Sequence, residues 1–101
     1  MNAQLDPVYW EKMKSSLREK YYMTMMSYFS PKPAKEVYKR CIDLLNALIE
    51  AARRGDENRV ISLQCQYRKA REEDFPRLYE RAEFIVHLNY SWDLMMRIRP
   101  Q

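Results

Sequence analysis

The chain has 101 residues, of which 47% are hydrophobic and 32% charged, and its formal net charge is +4. This length provides for a single domain, and a content of one glycine and five prolines excludes collagen-like, linker-like and disordered chains. A lone glycine also argues against a sheet joined by tight hairpins, so the composition favours a helical protein.

We predict an all-α fold, an antiparallel up-down four-helix bundle that forms one domain over residues 1–101. The first helix begins after Asp6-Pro7, because an aspartate N-cap followed by proline is a typical helix start. Apolar side chains then recur at helical spacing to about residue 29, and the prolines of Ser30-Pro31-Lys32-Pro33 end the helix. The predicted inward side chains are those of Trp10, Met13, Leu17, Tyr21, Thr24 and Tyr28.

The second helix is predicted over 33–54, and Gly55 provides a left-handed C-cap. Its apolar face comprises Val37, Cys41, Leu44, Leu45, Leu48, Ile49 and Ala52. Asp56 caps a third helix over 57–73, with Val60, Leu63, Tyr67 and Ala70 inward and Arg59, Gln66, Arg68, Lys69 and Arg71 outward.

Asp74-Phe75-Pro76 repeats the helix-start signal, so we predict a break there and a fourth helix over 76–97. A proline kink within one long helix is the alternative. The predicted inward residues of the fourth helix are Leu78, Ala82, Ile85, Val86, Asn89, Trp92 and Met96.

Positive charge is concentrated in the first half of the chain. Between Trp10 and Arg40 there are eight basic and three acidic residues, whereas the remainder from Cys41 has ten of each. A basic sector attracts polyanions, and lysines beside a helix N-terminus suit phosphate. We therefore expect nucleic acid as the partner. The predicted phosphate-binding residues are Lys12, Lys20, Lys32, Lys35, Lys39 and Arg40, and the predicted base-stacking residues are Tyr28 and Phe29.

Eight tyrosines and seven methionines form a second notable group. Met25, Met26, Met95 and Met96 cannot all face inward, since neighbouring helical residues point about 100° apart. This pattern predicts a Met/Tyr-rich face that binds a partner helix or a second copy of the chain.

No cofactor, metal site or membrane span is expected. Cys41 and Cys65 lack the spacing and the neighbouring ligands of a zinc site. Asp6 and Glu11 lie where a signal peptide would have a basic and then an apolar region. We therefore expect a cytoplasmic protein, or one that is intracellular in a host cell.

Arg81 and His87 lie six residues apart. This spacing resembles the arginine-x(4–6)-histidine motif of HEPN ribonucleases, which are small all-helical dimers that use the pair on RNA. Ala82 stands where those enzymes usually carry a polar residue. Six residues also correspond to about 600° of rotation, so the two side chains are expected to point in different directions. We expect no catalysis by this chain, and a ribonuclease that uses Arg81 and His87 is the third hypothesis.

The segment from Pro31 to Trp92 resembles a family of small four-helix bundles. That family includes the accessory variability determinant of diversity-generating retroelements and proteins encoded in intervening sequences of bacterial ribosomal RNA genes. The resemblance rests on Pro31-Lys32-Pro33, on Leu44-Leu45 with Leu48-Ile49-Glu50-Ala51, and on Leu78-Tyr79-Glu80-Arg81-Ala82. It implies a basic, oligomeric bundle that binds RNA or DNA and assists another enzyme, which is our leading hypothesis.

The first two predicted helices also resemble those of KIX domains, which bind amphipathic activation helices in apolar grooves. The residues concerned are Trp10, Leu17-Arg18, Phe29-Ser30-Pro31 and Pro33-Ala34. KIX domains have three main helices, whereas four are predicted here. A protein-interaction module that binds an amphipathic partner helix is therefore the alternative hypothesis.

Overall fold

The computed structural model describes residues 2–98, and the side chains of all of these except residues 93, 97 and 98. Within this range all regular secondary structure is helical, and there is no strand. Helix α1 spans Pro7–Met25, α2 spans Lys32–Arg53 and α3 spans Glu57–Arg68; a π-helical segment over Lys69–Asp74 leads into α4, Phe75–Ile98. The predicted all-α class is confirmed, whereas a bundle of four separate antiparallel helices is not confirmed.

The caps predicted for α1 and for the α2–α3 turn are present. The Asp6 carboxylate accepts a 3.0 Å hydrogen bond from the Val8 N–H, and Pro7 occupies the first helical turn. Gly55 has a φ of +68°. Its N–H and that of Asp56 donate, both at 3.0 Å, to the carbonyls of the last turn of α2, which is the usual glycine-terminated helix end. Local signals therefore place these helix ends.

Helix α1 is shorter than the predicted span of 7–29 and ends at Met25. The hydroxyl of Ser27 accepts a 3.2 Å hydrogen bond from the Phe29 N–H, and the Ser27 carbonyl accepts a 3.1 Å bond from the Ser30 N–H. These bonds give the backbone a non-helical alternative before the prolines are reached. Tyr28, predicted inward, is consequently 91% exposed.

The predicted helix break before Pro76 is replaced by the π-helical segment. Helical conformation continues from Glu57 to Ile98, which we call the long helix, and the Phe75 N–H donates to the Ala70 carbonyl five residues back. In an α-helix the Pro76 ring would clash with the carbonyl of residue 72. The wider π turn accommodates the proline and keeps Ala70 and Phe75, five residues apart, both buried.

Phe75 lies at the centre of the core, where side chains from α1, α2 and the long helix meet. Its ring centroid is 4.9 Å from that of Tyr21 on α1, 6.2 Å from that of Tyr38 on α2 and 5.5 Å from that of Tyr79 on α4. The inward residues predicted for the third helix, Val60, Leu63, Tyr67 and Ala70, are all buried. The core is thus an aromatic cluster flanked by aliphatic residues.

The end of α4 lies outside this core. The α1–α2 turn contacts α4 at Tyr90, since the Ser27 and Tyr90 hydroxyls are 3.2 Å apart and the Phe29 and Tyr90 rings are 5.3 Å apart. Trp92 and Met96, both predicted inward, are 63% and 52% exposed. The prediction fails there because α1 and α2 end before they reach the last turns of α4.

The molecule is elongated. At about 1.5 Å per residue the long helix spans about 63 Å, which matches the 63 Å longest dimension of the molecule. The radius of gyration is 17.1 Å, against about 13 Å for a compact domain of 100 residues. The accessible surface is 7521 Å², compared with about 6,100 Å² expected from the mass. Surface that a compact domain would bury is therefore uncovered.

Candidate functional site

A row of basic side chains lies between α1 and α2. Helix α1 buries Trp10 and Leu17, which turns Lys14 and Arg18, four residues apart, towards α2. These two line a groove of about 490 Å³ with Asn46, Glu50 and Arg53 of α2, among others. The groove therefore has cations on the α1 side.

Two lysines extend this row along α2. Lys35 and Lys39 lie four residues apart, and Lys39 is seven residues before Asn46, so helical spacing places both on the side of α2 that carries Asn46, where Lys39 also borders the groove between α2 and α3. Burial raises the pKa of the Tyr38 hydroxyl, and the positive charge of the Arg18 guanidinium nearby partly offsets this rise. We call Lys14, Arg18, Lys35 and Lys39 the basic face.

Carboxylates near the basic face pair with basic residues outside it. Glu11 pairs with Arg53 at 2.8 Å, and Glu50 lies 3.5 Å from Arg54. Glu36 lies 4.0 Å from Lys32, with both side chains largely exposed. Among the described side chains, none of the four residues of the basic face has a carboxylate within 4.0 Å. Their positive charge is thus uncompensated at short range.

The six predicted phosphate-binding residues occupy several surfaces. Lys39 and Arg40 line a second groove between α2 and α3, which also contains Glu36, Asp43 and Arg59. Lys32 and Lys35 lie at the start of α2, where Pro31 provides no side-chain cap and no acidic residue occupies the first turn. The structure thus brings Lys39 and Arg40 into one groove.

The two predicted residues on α1 lie apart from these grooves. Lys12 is exposed on the side of α1 away from the buried Trp10 and Leu17. The Lys20 ammonium lies 5.4 Å from the centroid of the Tyr21 ring. Neither residue lines the α1–α2 or the α2–α3 groove. The sequence prediction instead missed Lys14 and Arg18, whose four-residue spacing was the available signal.

The two predicted stacking residues differ in availability. Tyr28 is 91% exposed at the α1–α2 turn, a few residues before Lys32. Phe29 is half-buried, and its ring contacts those of Tyr28 and Tyr90 edge-on at 5.6 and 5.3 Å. Tyr28 therefore offers a ring face to a base, whereas Phe29 already has intramolecular partners.

Arg81 and His87 are both exposed on α4 but line different depressions. Arg81 lies with Arg77, Glu80 and Phe84, whereas His87 lies with Glu83 and Leu88, among others. No hydrogen bond or ion pair joins these two described side chains. The ribonuclease hypothesis stays a prediction.

Helix α4 also exposes a continuous apolar surface. Phe84 and Leu88 are 68% and 56% exposed and line a shallow groove with Glu80, Glu83, His87 and Ser91. Further exposed apolar residues follow towards the end of the helix: Tyr90, Trp92, Leu94, Met95 and Met96. Sequence reasoning found the methionines but placed Trp92 and Met96 in the core.

No family model matches the chain, and no curated protein or solved structure matches it either. In the part of the chain that the structure describes, no helix is long and apolar enough to cross a membrane. The same residues include no group of three or more His, Cys, Asp or Glu side chains arranged to hold a metal ion.

Proposed function

We propose that this chain is an accessory protein that binds nucleic acid through phosphate contacts and has no catalysis of its own. The observation that supports it is the basic face, whose four cations have no carboxylate within 4.0 Å. Cations left unpaired by a protein's own carboxylates attract phosphates, and release of counterions from the nucleic acid drives binding. Such contacts position the backbone and carry little base specificity.

The helix order proposed from the sequence suits such a face. We propose that α1, α2 and α3 run up and down in antiparallel order. Arg53 at the end of α2 contacts Glu11 in the first half of α1, and Tyr38 in the first half of α2 contacts Phe75 after α3. This order sets α1 and α2 side by side, so that Lys14 and Arg18 of α1 and Arg53 of α2 border one groove.

The predicted residues outside the basic face remain part of the proposal. Lys32 and Arg40 add positive charge in the first half of α2, while Lys12 and Lys20 add it on other sides of α1. Tyr28, four residues before Lys32 in the sequence, provides a stacking surface for one base. A single-stranded nucleic acid would therefore gain an aromatic contact that a duplex would not.

The test is fluorescence anisotropy with labelled single-stranded RNA, single-stranded DNA and duplex DNA over a range of salt concentrations. We expect log affinity to fall linearly with log salt, and Lys35→Glu/Lys39→Glu to weaken binding to every sequence by about tenfold or more. The matched control is Arg68→Glu/Lys69→Glu, which changes net charge equally on an exposed part of the long helix. Salt-independent binding, or equal loss in both variants, would contradict the proposal.

A second candidate is the protein-interaction module that binds an amphipathic helix, and the exposed apolar surface of α4 favours it. Selection from a display library of amphipathic helical peptides provides the probe. Phe84→Glu should then abolish peptide binding because it removes a central apolar contact. Lys35→Glu/Lys39→Glu should change only the association rate.

A further inference from the structure

The last turns of α4 are apolar on several sides at once. Beyond the contact of Tyr90 with the α1–α2 turn, the side chains of Trp92, Leu94, Met95 and Met96 are all more than half exposed. Successive helical residues point about 100° apart, so these four side chains point to more than one side of the helix. Apolar side chains grouped on a helix surface are usually buried against another element. This end of α4 therefore lacks the packing partner that its composition requires.

The same exposed surface continues back along α4 as a regular stripe. Phe84, Leu88, Ser91 and Met95 follow one another at spacings of four, three and four, which is the spacing of a helix-pairing seam. Buried Ala82 lies on the opposite side of the helix and packs into the core. The stripe is thus a second apolar face, separate from the one that faces α1 and α2.

We infer that this stripe binds a second copy of the chain, with the two α4 helices antiparallel and the two Leu88 side chains near the two-fold axis. In this register Phe84 of each copy lies opposite Trp92 of the other, because both are four residues from Leu88. Each apolar helix end then covers the Phe84 region of the other copy. A single stripe thus provides both halves of the contact, as a two-fold symmetric interface requires.

The exposed apolar area of α4 is comparable with that of one side of a protein–protein interface. The seven exposed apolar side chains between Phe84 and Met96 present on the order of 1,000 Å². A standard protein–protein interface buries about 800 Å² per partner. Pairing of two copies would bury the side of this patch that faces the partner helix.

Charges beside the stripe favour the antiparallel orientation. A parallel pair would bring Glu80 against Glu80 and Arg81 against Arg81, and like charges in contact are unfavourable. In the antiparallel pair each Arg81 lies seven residues from the axis, so the two are about 21 Å apart along the helices. That separation exceeds the screening length of about 8 Å at physiological ionic strength. Glu83 flanks the same stripe five residues from the axis, so its two copies would also lie about 15 Å apart along the helices.

The first experiment measures molar mass by light scattering and by sedimentation at micromolar concentrations. We expect the unmodified chain to have twice its 12.4 kDa mass, and Leu88→Glu to return it to the mass of one chain, because two carboxylates would face each other at the axis. Met23→Glu on α1 is the matched control, since Met23 is 82% exposed, and this variant should remain dimeric. Circular dichroism checks that both variants are helical.

The second experiment tests the register by oxidative cross-linking in a Cys65→Ser background, with Cys41 buried. Leu88→Cys should form a covalent dimer readily. Met95→Cys should not, because its two copies would lie about 21 Å apart along the helices. Equal cross-linking of both variants would overturn the antiparallel register. A chain that stays monomeric at 100 µM would overturn the whole inference, without affecting the basic face on α1 and α2.

Discussion

The guanidinium of Arg71 donates a 2.8 Å hydrogen bond to the hydroxyl of Tyr21. Arg71 lies in the π-helical segment and Tyr21 on α1, and the guanidinium carbon is also 5.0 Å from the centroid of the Tyr21 ring and 5.4 Å from that of Phe75. Helical periodicity predicted Arg71 as an outward residue. The π turn instead brings it over the aromatic core, where it links α1 to the long helix.

We expect Arg71→Ala to lower the free energy of unfolding by about 1–2 kcal/mol, because it removes the hydrogen bond and the contacts with both rings. Tyr21→Phe, which removes the hydroxyl alone, should cost about 1 kcal/mol. Urea denaturation followed by circular dichroism measures both. Arg68→Ala is the control for loss of a surface arginine and should change stability by less than about 0.5 kcal/mol. An equal effect of Arg68→Ala and Arg71→Ala would contradict the role of the Tyr21 contact.

The π-helical segment should absorb the loss of one residue. Ala70 and Phe75 are five residues apart yet both buried, so deletion of the exposed Glu73 would leave the four-residue spacing of an α-helix. Pro76→Ala must accompany the deletion, because proline inside an α-helix costs about 3 kcal/mol. We expect the free energy of unfolding of the combined variant to lie within about 1 kcal/mol of that of Pro76→Ala alone.

Deletion of the exposed Gln66 in α3 is the control for that variant. It would rotate the two parts of the long helix by about 100° relative to each other, which would turn Phe75 away from Tyr21. A loss of more than about 3 kcal/mol is expected, as for truncation of a large core residue. If the Glu73 and Gln66 deletions destabilise the chain equally, the π-helical segment does not absorb the loss of a residue.

Gly55 is required for its backbone conformation and not for lack of space. Its φ is +68°, and a Cβ added there would meet no atom within 4 Å. Gly55→Ala should therefore destabilise the chain by about 1 kcal/mol through backbone strain alone. Gly55→Asn should cost less, because asparagine tolerates the left-handed region better than other residues with a Cβ. If chemical denaturation shows that Gly55→Asn is less stable than Gly55→Ala, this explanation is wrong.

Stability should decrease at alkaline pH. Burial raises the pKa of the Cys41 thiol from 9.0 to about 11 and that of the Tyr67 hydroxyl from 10.0 to about 12. Below pH 9 the thiol and the hydroxyl are protonated in the folded and in the unfolded chain. Above it the unfolded chain loses these protons before the folded chain does, so the free energy of unfolding falls as the pH rises to about 12.

The measurement is urea denaturation at several pH values between 8 and 11. Cys41→Ala should lower stability at every pH, because it leaves a small cavity in the core, and it should also flatten the pH dependence between 9 and 11. Thr24→Ala, which leaves both titrating groups in place, is the control and should retain the full slope. Stability that is constant or rising across this interval would contradict the prediction.

Local features of the sequence predicted the first part of the structure well. Asp6-Pro7, Gly55 and Asp56 place helix ends through bonds to their immediate neighbours, so these ends can be read without tertiary structure. The buried faces of α2 and α3 follow from apolar residues at helical spacing. The basic character of α1 and α2 also follows from residue counts, although its arrangement into one face does not.

Sequence patterns alone establish that the chain is helical, where most of its helices begin or end and which faces of α2 and α3 are buried, because these depend on bonds and spacings within a few residues. Packing between helices, in contrast, accounts for the passage of the chain through Pro76 without a break, since this depends on Phe75 fitting between Tyr21 and Tyr38. It also leaves Trp92 and Met96 uncovered. An apolar residue is buried only where another element reaches it, and α1 and α2 end too soon to cover the end of α4.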